Sequence, residues 1–130
     1  MRPIELEMNN FGPYRHVVID FTKLASAPLF LISGKTGAGK TTIFDGMSYA
    51  LYGETTSKDR DVKALHADFA RHDLCSVRFV FEHEGVRYQI SRQPQQLVKG
   101  RGDKLVTKQV KVSLIYPLGS QQPAEINKVG

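Results

Sequence analysis

Apolar and polar positions along the chain repeat with two different periods, and the change of period places its elements. Ile4, Leu6 and Met8 alternate with Glu5, Glu7 and Asn9, the period of two that marks a half-buried strand. After the turn residues Asn10-Phe11-Gly12-Pro13, Val17, Ile19 and Phe21 alternate with Val18 and Asp20, which predicts a second, antiparallel strand. Leu29-Phe30-Leu31-Ile32 does not alternate, and this apolar run after Pro28 predicts a strand covered on both faces, as in parallel sheets. From Lys40 the period lengthens: Ile43, Phe44, Met47, Ala50 and Leu51 form one helical stripe, which Gly53 ends as a left-handed cap. Gly46 inside that helix costs up to about 1 kcal/mol relative to Ala, so close packing against the sheet is expected there. Residues 55–73 read as a polar loop with a short helical turn. Val77, Phe79 and Phe81, then Val86, Tyr88 and Ile90, predict two strands joined by a tight Glu84-Gly85 turn, and Val110, Val112 and Leu114 predict another. Residues 93–109 read as a long mobile connection, and no further element is expected after Pro117.

Composition narrows the class. At 130 residues, with 41% hydrophobic and 24% charged residues, the chain has the size and balance of one soluble globular domain. No apolar run approaches the roughly 20 residues that a membrane span needs, and Glu5 and Glu7 break up any leader-like stretch, so a cytoplasmic protein without membrane contact is expected. One cysteine, Cys75, excludes an internal disulfide and fits a reducing compartment, as a small buried or edge residue. Four scattered histidines give no zinc spacing. The net charge of +5 is concentrated: Arg92, Lys99, Arg101, Lys104, Lys108 and Lys111 face only Asp103 between 92 and 111, and the rest of the chain is balanced. A localised excess of this kind points to a polyanionic partner. No aromatic residue lies between Arg92 and Lys111, so stacking of single-stranded bases is not supported.

The most specific signal is Gly34-Lys35-Thr36-Gly37-Ala38-Gly39-Lys40-Thr41, a complete G-x-x-x-x-G-K-[ST] pattern between a buried strand and a helix. Glycines let the backbone wrap closely and aim its N–H groups at phosphates. The helix start adds its positive dipole end. Lys40 reaches the β- and γ-phosphates of ATP, Thr41 offers its hydroxyl to Mg²⁺, and Thr42 lies one position further in. These make Lys40 and Thr41 the catalytic candidates, within a nucleotide-binding set running from Ser33 to Thr42. Hydrolysis also needs an acidic residue at the end of a second buried strand, and no strand of this chain reads that way. Asp20 and Asp45 are the only acidic residues near apolar stretches, and Asp45 is expected as a solvated or capping residue. The chain reads as half of an ATPase.

Several stretches resemble the SbcC and Rad-fifty family of DNA-repair ATPases, relatives of SMC proteins and ABC-type ATPases, and look most like its bacterial SbcC branch. They are Asn10-Phe11-Gly12-Pro13-Tyr14, Ile19-Asp20-Phe21, the run from Leu29 to Ile43 with Asp45, Ala50-Leu51-Tyr52-Gly53, Ala67-Asp68-Phe69-Ala70, and the paired strands around Phe79 and Tyr88. The resemblance implies an α/β P-loop NTPase fold, the N-terminal lobe of an ABC-type head, with a mixed sheet and an antiparallel β-subdomain. Residues 1–130 would then be the N-terminal portion of a split head. The phosphate-loop strand and helix would cover 29–53, the antiparallel strands 75–116 and the basic loop 93–109. It further implies a C-terminal half of the same head carrying the Walker B and signature motifs, joined through a coiled coil with a zinc hook. Two heads would close as a homodimer on ATP, controlling an SbcD-type nuclease subunit on double-stranded DNA. The nucleotide base would lie near Asp61, Val62 and Lys63, Asn10 and Phe11 would approach from the first turn, and Lys99, Arg101, Lys104 and Lys108 would follow a DNA backbone. Two other readings stay open at this point: a self-contained small P-loop kinase or nucleotide-binding enzyme, and a nucleic-acid-binding module with a vestigial phosphate loop.

Overall fold

A computed structural model describes residues 1–12, 14–24, 37–53 and 73–129, with the backbone alone for 23, 24, 37–42, 103 and 129. The expected strand at 29–32 and the loop at 55–72 lie outside the described residues. Strand β1 (Arg2–Phe11) pairs antiparallel with β2 (Tyr14–Asp20), setting Leu6 opposite Ile19 and Met8 opposite Val17. β1 also pairs with β3 (Ser76–His83), which returns through Glu84 and Gly85 into β4 (Val86–Gln93). Both turn residues have positive φ, 51° and 79°, the backbone twist that suits a two-residue antiparallel turn.

Two expectations are corrected here. The stretch 93–109 is not a loose connection: β5 (Gln96–Lys99) and β6 (Leu105–Lys108) pair as an antiparallel hairpin, with a 3-10 turn over Arg101–Asp103 at its tip. Its strands are four residues long and end in lysine, too short for an alternating pattern to stand out. After β7 (Lys111–Tyr116), the chain forms another strand, β8 (Ala124–Val129), where none was expected. β8 hides in sequence because only Ala124 and Ile126 carry apolar side chains on the face that β7 continues with Leu114 and Tyr116. The main sheet runs β2-β1-β3-β4-β7-β8, every neighbouring pair antiparallel.

Alternation divides this sheet into an apolar and a polar face. On the apolar face Leu6, Phe79, Ile90 and Leu114 lie in one cross-strand row, and Met8, Val77, Arg92 and Val112 in the next. Full burial of side chains such as Leu6, Met8 and Phe79 (each 0% exposed) contributes about 1.5–3 kcal/mol apiece. On the polar face Arg78 bonds Glu5, Glu7 and Gln89, and His16 reaches Glu7 at 3.1 Å. The His16 contact and Arg78 together hold the Glu7 carboxyl below its ordinary value. These partly solvated ion pairs add little stability.

Helix α1 (Gly37–Tyr52) lies on the apolar face, across β1, β3 and β4. Its line of contact is Ile43, Gly46, Tyr49 and Ala50. A β-carbon at Gly46 would stand 2.8 Å from Met8 Sδ and 3.4 Å from Leu6 Cδ2, so glycine is what lets the helix approach this closely. The expected stripe is therefore turned: Phe44 is 39% exposed, whereas Asp45 is only 1% exposed and not solvated. Met47 and Leu51 are half-buried and pack against the same core, so Phe44 is the member of the expected stripe that stands exposed.

Replacing Gly46 by Val should destabilise the folded protein. Overpacking against a buried methionine costs about 1–3 kcal/mol, more than the helix propensity gained by removing glycine. Thermal unfolding checks this; an unchanged midpoint would mean that helix and sheet are not in contact at Met8.

Candidate nucleotide and nucleic-acid sites

The 16 residues of α1 make a rod about 24 Å long, and its two ends have different chemistry. At the N-terminal end the backbone is helical from Gly37 onward, which puts Gly37, Ala38, Gly39, Lys40, Thr41 and Thr42 in the opening turns. The first four N–H groups of a helix have no partner within it and carry the positive end of its dipole. No acidic side chain lies in this first turn to compete for them, and Lys40 adds a cation. The donor set fits a nucleotide's phosphates, and Thr41 is the hydroxyl suited to Mg²⁺. Of the expected nucleotide residues, Ser33, Gly34, Lys35, Thr36, Asp61, Val62 and Lys63 lie outside the described residues. Phe11 does not face a ligand. It is 1% exposed, with its ring 6.1 Å from that of Tyr49, and Asn10 donates its side-chain amide to the Leu74 carbonyl at 2.9 Å.

At the C-terminal end Gly53, with φ of 74°, donates its N–H to the Tyr49 carbonyl at 2.8 Å and closes the last turn. Arg92 arrives from β4. Its Nε donates to the Ala50 carbonyl at 3.1 Å and its guanidinium lies 5.9 Å over the Tyr49 ring. Burial lowers the guanidinium's affinity for its proton, and the Tyr49 hydroxyl acts the other way. One of the six cations of the basic segment is thus turned inward. A signal for this was present in the sequence, because Arg92 continues the same alternating face as Tyr88 and Ile90.

The remaining basic residues are exposed, but they do not share a face. Lys99 stands opposite Leu105 and lies on the same side of the hairpin as Leu97 and Thr107. Lys108 stands opposite Gln96, on the side that carries the buried Val98. Arg101 and Lys104 belong to the tip, where Gly100 N–H donates to the Lys104 carbonyl at 2.6 Å. Lys99, Arg101 and Lys104 therefore cluster at the tip and Lys108 stays at the base. Lys111 sits apart on the polar sheet face, in an open cleft of about 330 Å³ shared with Ser91, Ser113 and Asn127.

The hairpin's base is fixed. Gln96, 8% exposed, accepts the Cys75 N–H at 2.7 Å and donates to the carbonyls of Cys75 at 2.9 Å and Pro94 at 3.2 Å. This buried amide satisfies backbone groups on two segments, and neither its polarity nor its spacing marked it in sequence. Cys75 is 1% exposed, and burial pushes its thiol up to about 12.

The chain matches the AAA domain family over residues 5–128. It belongs to that family. It is also similar to curated proteins named as the SbcC component of the SbcCD nuclease: 47% identical over 119 residues to that of Lactococcus lactis and 48% over 118 residues to that of Vibrio cholerae, covering 88% of this chain each time. The Staphylococcus aureus protein of the same name is 43% identical over 105 residues, covering 80% of this chain. The chain spans 11% and 12% of the lengths of the first two relatives and 10% of the third. The P-loop NTPase fold and the SbcC resemblance read from the motifs are borne out by these matches. Among the described residues, no helix is long and apolar enough to cross a membrane, and no group of three or more His, Cys, Asp or Glu residues is placed to hold a metal ion.

Gln96→Ala should cost about 2 kcal/mol, because buried backbone groups lose their partners, and should expose Cys75. In the parent protein a thiol reagent at pH 8 should modify Cys75 far more slowly than an unfolded cysteine, because the thiol is buried. The substitution should accelerate that reaction, and an equal rate in both proteins would show that Gln96 does not hold the hairpin's base.

Proposed function

We propose that this chain is the phosphate-binding part of an ATPase that works with a nuclease on double-stranded DNA. The observation that carries the reading is the complete phosphate-loop pattern ending in the opening turns of α1. Free N–H groups and the Lys40 ammonium neutralise the β- and γ-phosphates where charge develops during transfer to water. The Thr41 hydroxyl would hold Mg²⁺, which would supply further charge neutralisation at the phosphates. Among the described residues, β2 is the strand that ends in an acidic residue, Asp20, whose carboxylate accepts the Thr22 N–H; this reading takes the water-activating group from elsewhere in the assembled protein. A C-terminal half of the same head, brought in by head-to-head closure on ATP, is the source this reading assigns.

The same reading makes three finer assignments. Ser33 to Thr42 hold the phosphates and Asp61, Val62 and Lys63 lie by the base. The hairpin tip, through Lys99, Arg101 and Lys104 with Lys108 behind, contacts duplex phosphates without reading sequence. An SbcD-type nuclease is the partner, as the relatives' name implies. That name also favours this reading over a self-contained kinase.

In the full-length protein Lys40→Ala should abolish ATP turnover, and near-normal turnover would refute the assignment. Reversing Lys99, Arg101 and Lys104 to Glu should weaken duplex binding and reduce its logarithmic salt slope by about 2–3. A slope equal to the parent's would remove the hairpin from the DNA contact.

A further inference from the structure

Arg92 breaks the pattern of its own strand. Its cross-strand neighbours Val77 and Val112 are apolar, and its side chain lies on the face that packs against α1. A charged residue is costly in such a place unless its donors and its planar face are both used. Here both are: Nε meets the Ala50 carbonyl, one of the last-turn carbonyls that a helix leaves unbonded, and the guanidinium covers the Tyr49 ring. The fit extends to Gly53, where a β-carbon would approach Arg92 Nη1 to 3.0 Å. Helix end, tyrosine ring and glycine together make a seat shaped for one guanidinium.

That seat lies between the two proposed sites. One direction leads along α1 to Lys40 and Thr41. The other leads from Arg92 through Gln93 and Pro94 into β5, whose base Gln96 fixes to Cys75 at the entry to β3. Gln96 thus ties the hairpin's base to the residue before β3, the strand whose Val77 pairs with Arg92, which gives displacement at the cationic tip a path to Arg92. We infer that Arg92 is a positioning residue that couples duplex DNA on the β5–β6 hairpin to nucleotide turnover at the N-terminal end of α1. This rests on the nucleotide and DNA readings proposed above. The coupling acts through the attitude of α1 against β4. Arg92 itself touches neither ligand.

The test measures ATP turnover by the full-length protein with its nuclease partner, with and without saturating duplex DNA, for parent, Arg92→Met and Arg92→Lys. Duplex affinity and the thermal midpoint are measured on the same samples. In the parent, DNA changes turnover by about fivefold or more. In Arg92→Met the DNA-free turnover and the duplex affinity stay as in the parent, while the response to DNA falls to near one. Arg92→Lys, which keeps one hydrogen bond but loses the flat stacking, responds in between and covers the case in which the methionine variant does not fold. A full DNA response in a folded Arg92→Met or Arg92→Lys protein overturns the coupling role and leaves the DNA and nucleotide readings standing. A parent protein whose turnover ignores DNA overturns the coupling role at its foundation. The Lys99, Arg101 and Lys104 reversal then shows separately whether the hairpin binds the duplex at all.

Discussion

Close approach of α1 to the antiparallel sheet at Gly46 is the constraint on which the other features depend. With Met8 Sδ 2.8 Å and Leu6 Cδ2 3.4 Å from where a β-carbon would stand, the helix backbone at Gly46 rests directly on the sheet's side chains. That contact line, from Ile43 to Ala50, decides which residues enter the core. It buries Asp45 and leaves Phe44 part-exposed, against the simple reading of the helical stripe. It also fixes where the two ends of a rod about 24 Å long must fall: the proposed phosphate-binding turn at one end and the Arg92 seat at the other. Glycine in a helix interior is a local cost, and here the tertiary contact it permits offsets that cost.

The distribution of charge follows from the same sheet. Alternation sends Glu5, Glu7, Arg78 and Gln89 to the solvent face, where they neutralise one another, and Arg92 to the helix face. What remains of the basic excess is carried mainly by a hairpin outside the main sheet, bound to it through one buried glutamine. A cationic finger of this kind concentrates positive potential away from the acidic residues of the sheet, which suits association with a polyanion.

Much of this was legible in the residues. The phosphate-loop pattern, the β1–β2 and β3–β4 pairings, the Glu84-Gly85 turn and close packing at Gly46 all came from short-range chemistry: spacing, period and turn preference. The features that escaped depend on contacts distant in sequence. Gln96 is buried because Cys75, 21 residues earlier, offers both backbone groups to it. β8 forms because β7 supplies an edge, although Glu125, Asn127 and Lys128 give it little apolar pattern of its own. Charge alone groups Arg92 with the basic segment, whereas its alternation with Tyr88 and Ile90 and its place in the row between Val77 and Val112 separate it from the exposed lysines.

The central claim is that nucleotide phosphates are held at the opening turns of a helix whose far end is anchored to the sheet. Amide hydrogen exchange on the full-length protein, with and without Mg-ATP, tests it at residue level. ATP should slow exchange at residues 37–42, with residues 105–108 of the hairpin unchanged by nucleotide alone. Equal exchange at 37–42 with and without Mg-ATP, in a protein that demonstrably binds ATP, would place the nucleotide elsewhere and contradict the account.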